Sequence, residues 1–290
     1  MSVLEELGLP PLPEPLPRPV VDNHTHADTT TEYSGLQVSD SIALAARVGV
    51  NRIVQVGCDV VSSRYAVELA THEPTVVAAI ALHPNDAART FTSGGRAALA
   101  AEFESIRQLA ANKYVRAIGE TGLDHYRTRE PEGRSAQEES FRWHIALAKE
   151  RDLTLVVHDR DAHADILRVL DDVGAPGRVV MHCFSGDAAF AEECVSRGFW
   201  LSYPGVVTFG SAGSLREAAR ATPLSRVLVE TDAPFLTPKP QRGKYNAPYL
   251  LPHTVRFLAD LLDVELDAFC NTVMANTFAA FGGPWGEDDA

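Results

Sequence analysis

The chain has 290 residues, 45% of them hydrophobic and 22% charged, and a formal net charge of −13. That composition excludes a disordered chain, and the length lets a single α/β barrel bury a sizeable core. The acidic balance argues against a protein that grips long duplex DNA through an overall basic face, but it leaves open a site that holds a short strand end.

Residues 1–19 carry prolines at 10, 11, 13, 15, 17 and 19 and predict an extended arm outside the core that packs over the barrel surface. Residues 20–290 are expected to form one barrel domain. No apolar leader follows Met1 and no apolar run reaches membrane-spanning length, so no membrane is expected, and no obligate protein partner is evident. The four cysteines, Cys58, Cys183, Cys194 and Cys270, form no CxxC pair and are expected as buried thiols in a reducing cytoplasm.

From residue 20 onward, short apolar runs rich in Val, Ile and Leu predict strands at 20–24, 52–57, 76–82, 115–120, 153–158, 178–182, 198–203 and 226–231. Their lack of alternation suits parallel strands covered on both faces. Helices are predicted near 40–48, 62–72, 97–112, 137–151, 162–173, 187–197, 213–221 and 248–280. Ser135 with Glu138 has a capping-box spacing, Asp161 stands where an N-cap would precede the next helix, and Gly49 and Gly174 stand where helices should end. Eight strand–helix pairs give the α/β class and the count of a (β/α)8 TIM barrel.

Polar residues fall at the predicted strand ends: His24 and His26 on the first, Glu120 on the fourth, His158 on the fifth, His182 on the sixth and Asp232 on the eighth. In such a barrel these ends form the catalytic face. His24 and His26, two apart on a strand, leave the same face and make a natural chelate. Neutral imidazole and carboxylate suit Zn, Mn or ferrous iron, whereas Mg prefers oxygen. Six such residues exceed one open site and suit two divalent ions if Glu120 bridges them. His72, His163 and His253 lie in helical stretches and read as structural.

The motifs DNHTHAD at 22–28, LHP at 82–84, IGETGLD at 118–124, VVHDRDA at 156–162, MHCFSG at 181–186, ETDAPFLTP at 230–238 and RGKYNAP at 242–248 together resemble the TatD-type metal-dependent deoxyribonucleases. The resemblance implies a cytoplasmic barrel hydrolase with one or two divalent ions (Mg, Mn or Zn) and 3′–5′ exonuclease action on DNA ends, mostly single-stranded. It implies that His24, His26 and Asp232 hold one ion, that His158 and His182 hold the other, and that Glu120 bridges. A glutamate rather than a lysine at 120 favours the nuclease-like branch over the lactonase-like one. His144 and Tyr245 depart from the family pattern, where glutamine and arginine are common.

On this reading Asp232 orients a water activated by the ions and takes its proton, with Glu120 as the second catalytic carboxylate. His83, His125, Arg160 and Lys244 are candidate substrate contacts, Arg160 because a guanidinium grips phosphate bidentately. Arg160 could instead pair with Asp159 or Asp161, and His83 could cap backbone. Phe184, Tyr203 and Phe235 could stack on a base at the mouth or wall the pocket, and the wall is the favoured reading. The competing readings are a hydrolase of a small ester, lactone, amide or aminoacyl bond on the same site, and a barrel that has lost catalysis and serves as a binding scaffold.

Overall fold

The computed structural model describes residues 2–286. Among them the strands are β1 (Val20–Thr25), β2 (Val50–Gly57), β3 (Val76–Ile80), β4 (Val115–Asp124), β5 (Thr154–Arg160), β6 (Val179–Met181), β7 (Trp200–Tyr203) and β8 (Val227–Val229). They form one sheet in chain order, and every register read between neighbours is parallel. The α-helices are α1 (Val3–Glu6), α2 (Ala27–Ser34), α3 (Val38–Arg47), α4 (Val60–His72), α5 (Pro84–Leu109), α6 (Pro131–Arg151), α7 (His163–Val173), α8 (Ala188–Ser196), α9 (Gly213–Ala221), α10 (Leu251–Leu261) and α11 (Leu266–Ala280). This is the (β/α)8 barrel class. Among the described residues no helix is long and apolar enough to cross a membrane.

The chain divides into two compact units. The first comprises the residues up to Gln55 and Gly186–Ala279. In it β1 meets the continuation of β8: Thr25 bridges Ala233, the Asp232 N–H donates to the His24 carbonyl (2.9 Å), and the His26 N–H donates to the Ala233 carbonyl (2.9 Å). The proline-rich arm belongs to this unit. Leu4 and Leu16 are buried, the Leu16 N–H donates to Val48 O (3.0 Å), and the Tyr249 hydroxyl donates to Pro10 O (2.9 Å). The second unit comprises Val56–Ser185 and the residues from Ala280 on. Its centre is β3 to β6, with β3 wholly buried and β4 paired to β5 as far as Asp124 and Arg160.

Several local expectations are corrected. Helix α6 begins at Pro131, which pre-sets φ for the first turn, so Ser135 lies inside it and caps nothing. Glu138 instead accepts from Arg142 and Arg168. Asp161 sits at φ 56, outside the helix, and the Asp159 carboxylate takes the Ala162 N–H (3.3 Å) and pairs with His163 (2.7 Å). The predicted 248–280 helix is two, broken at Asp263 (φ 54). Helix α5 starts thirteen residues before its predicted beginning and kinks at Gly95 (φ 68), the glycine whose loop-like sequence hid the first half. Gly49 (φ 87) and Gly174 (φ 74) do close α3 and α7.

Helix α2 was not predicted at all. Its sequence, ADTTTEYS, holds three threonines, poor helix formers with no apolar stripe. Its hydroxyls turn inward: Thr30 donates to His26 O (2.8 Å), Thr31 to Ala27 O (3.1 Å) and Ser34 to Thr30 O (2.6 Å). Gln55 fixes the start by accepting the Ala27 N–H (2.8 Å) and donating to Asp28 (3.0 Å), and Gly35 (φ 76) ends it. Tertiary contacts override propensity here.

Candidate metal centre

In the first unit, the β1–β8 ladder places His24, His26 and Asp232 together. His24 is fully buried and His26 nearly so, and the Asp232 side chain keeps 15% of its surface exposed. The Asp232 Oδ1 lies 3.4 Å from His26 Nε2 and 3.9 Å from His24 Nε2. Two donors on one ion at about 2.1 Å stand roughly 3–3.5 Å apart, so the trio has the spacing and the chemistry of a divalent-metal set. Asp22 braces it from behind. Its carboxylate accepts the Thr231 N–H (2.9 Å) and hydroxyl, next to Asp232. Burial pushes Asp22 up to about 8, against the pull of those Thr231 bonds.

In the second unit, Glu120 in the middle of β4 is 5% exposed. Its Oε2 lies 3.0 Å from His158 Nδ1 and 3.2 Å from His182 Nε2. His182 comes just after β6, fixed by its N–H on Val157 O (3.0 Å). Burial works to raise Glu120, but the charges of His182 and His83 and the hydrogen bonds from His158 and His182 hold it well below the usual carboxylate range. An anionic carboxylate between imidazoles fits a second cation. His158 is raised to about 9: burial opposes its charge, and the bonds to Asp124 and Glu120 overcome that. In the metal-free chain a proton therefore sits where a cation would.

Asp124 was missed in the sequence because β4 was expected to stop at Glu120. The strand continues, and Glu120, Gly122 and Asp124 fall on one face by the period of two. The Asp124 Oδ2 lies 3.5 Å from His158 Nε2 and accepts from Asn85 Nδ2 (2.9 Å), while Oδ1 accepts the Arg127 N–H (2.8 Å). A carboxylate in this place would orient His158 from its far nitrogen if that ring held a cation. Cys58, expected as a buried thiol, is half-buried with Sγ 3.4 Å from Glu120 Oε1. Gly122 pairs with His158 across the ladder, at φ 144, and a Cβ there would meet His158 O at 2.1 Å. Gly122→Ala is expected to destabilise the chain by more than about 2 kcal/mol in urea unfolding and to weaken metal binding, because β5 must retreat.

The remaining candidates are placed differently. His83 caps α5: its Nδ1 accepts the Asn85 N–H (3.1 Å), and its ring meets His158 edge-on at 4.4 Å. It still offers a nitrogen to the Glu120–His158 set. His125 Nδ1 lies 3.7 Å from Asp165, in a cleft lined by Arg134, Glu138 and Arg168. Arg160 pairs with neither Asp159 nor Asp161; its guanidinium lies 4.2 Å over the Tyr126 ring. Lys244 is exposed on the late loop, in the first unit. Phe184 and Tyr203 are buried, whereas Phe235 is 45% exposed.

His144 is fully buried. Its Nε2 accepts the Leu82 N–H (3.1 Å) and its Nδ1 donates to Ser140 O (2.7 Å), and burial pushes it down to about 4. The unfolded chain takes up this proton near pH 6.5, the folded chain only near 4. The stability His144 contributes is therefore present above pH 6.5 and falls by up to about 3 kcal/mol as pH drops to 4. His144→Gln, which keeps an acceptor for Leu82, should flatten that part of the urea-midpoint profile; an unchanged slope would refute the assignment.

The sequence profile of the TatD related DNase family matches residues 21–282. An uncharacterized metal-dependent hydrolase of Mycobacterium tuberculosis, TatD, is 41% identical over 269 residues, covering 92% of this chain and 99% of its own length. YabD of Bacillus subtilis, also an uncharacterized metal-dependent hydrolase, is 36% identical, covering 89% and 97%. The crystal structure of YJJV, a TatD homolog from Escherichia coli, superposes with a TM-score of 0.80 at 26% identity, covering 91% of this chain and 98% of that one.

Proposed function

We propose that this chain, which belongs to the TatD related DNase family and is a metal-dependent hydrolase, removes nucleotides from the 3′ end of single-stranded DNA. The observation that carries the reading is the pair of donor sets: His24, His26 and Asp232 in one unit, and Glu120, His158 and His182 in the other. Each mixes imidazole with carboxylate, which suits Zn or Mn and tolerates Mg.

When bound, divalent ions supply positive charge for the phosphoryl oxygens and acidify water. The side chains do the rest. Asp232, the one carboxylate of its set and the member with the most exposed side chain, accepts the proton of the attacking water at Oδ1. Glu120, kept anionic by the imidazoles around it, holds charge in place through the reaction. Asp124 fixes the ring of His158. His83 reaches the same set and contacts substrate there, and Lys244 contacts it from the late loop. His125 and Arg160 remain proposed phosphate contacts, although each now rests against a neighbouring side chain. Four free thiols fit a reducing, cytoplasmic setting.

The test is an end-labelled single strand given to metal-stripped protein with Mg, Mn or Zn restored. A metal-dependent ladder shortening from the 3′ end is expected. Folded, metal-loaded protein that leaves the strand intact but cleaves an ester, lactone or aminoacyl substrate would overturn the reading.

A further inference from the structure

The first unit holds a cleft of about 810 Å³ that the metal chemistry does not use. Four of the six exposed large hydrophobic residues among those described line it: Leu7, Tyr33, Phe235 and Tyr245. Exposing that much apolar surface in one place marks a binding site more often than chance packing. The rings are ordered against one another. Tyr33 meets Phe235 edge-on at 6.1 Å and Tyr245 at a tilt at 6.2 Å.

The rim is cationic in a chain of charge −13. Arg242 and Lys244 line the cleft, and neither pairs with a carboxylate among the described residues. The Arg242 guanidinium lies 4.4 Å over Phe209. The walls are held by hydrogen bonds that leave the rings unburied. Asn246 Nδ2 donates to Thr231 O (2.9 Å) and Phe235 O (2.7 Å), its N–H donates to Pro234 O (3.0 Å), and Thr237 donates to Lys244 O. The Phe235 N–H donates to Asp232 O (2.9 Å), so the cleft begins one turn from a residue of the metal set. Tyr33 comes from α2, which starts immediately after His26.

Exposed rings with unpaired cations beside them are the two parts of a single-strand binding site, in which bases stack and phosphates meet charge. We propose that Tyr33, Phe235 and Tyr245 form a base-stacking subsite for the nucleotides that precede the scissile bond of a single strand, with Arg242 and Lys244 on its phosphates. This rests on the nuclease reading and adds to it a reason for strand preference. In a duplex the base faces are already stacked and cannot reach the rings.

The test is fluorescence anisotropy of a labelled oligothymidylate with phosphorothioate linkages, which resist hydrolysis, on the metal-loaded full chain. Tyr33→Ala, Phe235→Ala and Tyr245→Ala should each raise Kd by roughly tenfold. Tyr245→Phe should bind as the parent does, and an abasic strand should bind the parent as weakly as the alanine variants bind the intact one. Lys244→Ala should lower the salt slope of log K by about 0.7. Alanine variants with unchanged Kd, or an abasic strand bound as well as the intact one, would overturn the proposal, as would a chain that self-associates through this face and ignores the strand. Binding is read without turnover. Ring-dependent binding with no cleavage in the ladder assay would count against the nuclease reading alone, and cleavage with ring-independent binding against the stacking alone.

Discussion

Asp232→Asn is expected to lower single-turnover cleavage of an end-labelled strand by about a thousandfold at saturating metal, with the fold intact. The substitution is chosen for what it leaves alone. Asp232 sits at φ 53, a conformation asparagine adopts more readily than other residues, so the backbone whose N–H donates to His24 O need not move. An amide oxygen can still face His24 and His26, but it cannot take a proton. If Asp232 is only a ligand, raising the metal concentration restores most of the rate. If it is also the base, the loss persists with a full complement of metal, counted by elemental analysis on the same sample. Turnover within tenfold of the parent at normal metal content would remove Asp232 from the chemistry.

The fold was legible because most strands begin as apolar runs and most helices carry their own pattern; α1, α2 and the first half of α5 do not. What failed were boundaries and caps, where the deciding contacts are far away in sequence. Ser135 and Glu138 have the right spacing for a capping box, but Pro131 starts that helix four residues earlier. Thr30 and Thr31 read as loop because nothing local shows that Gln55, on another strand, will hold the first turn of α2.

The donor residues were legible because chelation needs a few residue types at positions the barrel makes functional. The supporting residues were not. Asp124 looks like a turn aspartate until β4 is seen to run through Gly122, a glycine required by the approach of His158 O. Cys58 looks like one more apolar thiol until its Sγ is seen beside Glu120. For Phe235 the sequence left stacking surface and pocket wall both open, and only the turn pinned by Asn246 shows that its ring stays exposed.

Glu120→Gln should separate the two donor sets. The glutamine keeps the size of the side chain and one oxygen, but the negative charge between His158 and His182 is gone. Without it these imidazoles hold a cation poorly, while His24, His26 and Asp232 keep all their donors. The variant is therefore expected to bind at least one metal equivalent fewer, or to bind it at least about a hundredfold more weakly, and to lose cleavage on the order of a thousandfold. The same change should act on His158 in the metal-free chain. Its charged form loses one of the two carboxylates that raise it to about 9, so its NMR titration should shift downward, with Asp124 still opposing the fall. Metal content unchanged from the parent, with the His158 titration unmoved, would mean that Glu120 neither holds a cation nor polarises that ring. A lost metal with full activity would instead put the whole reaction on His24, His26 and Asp232, and make the second set structural.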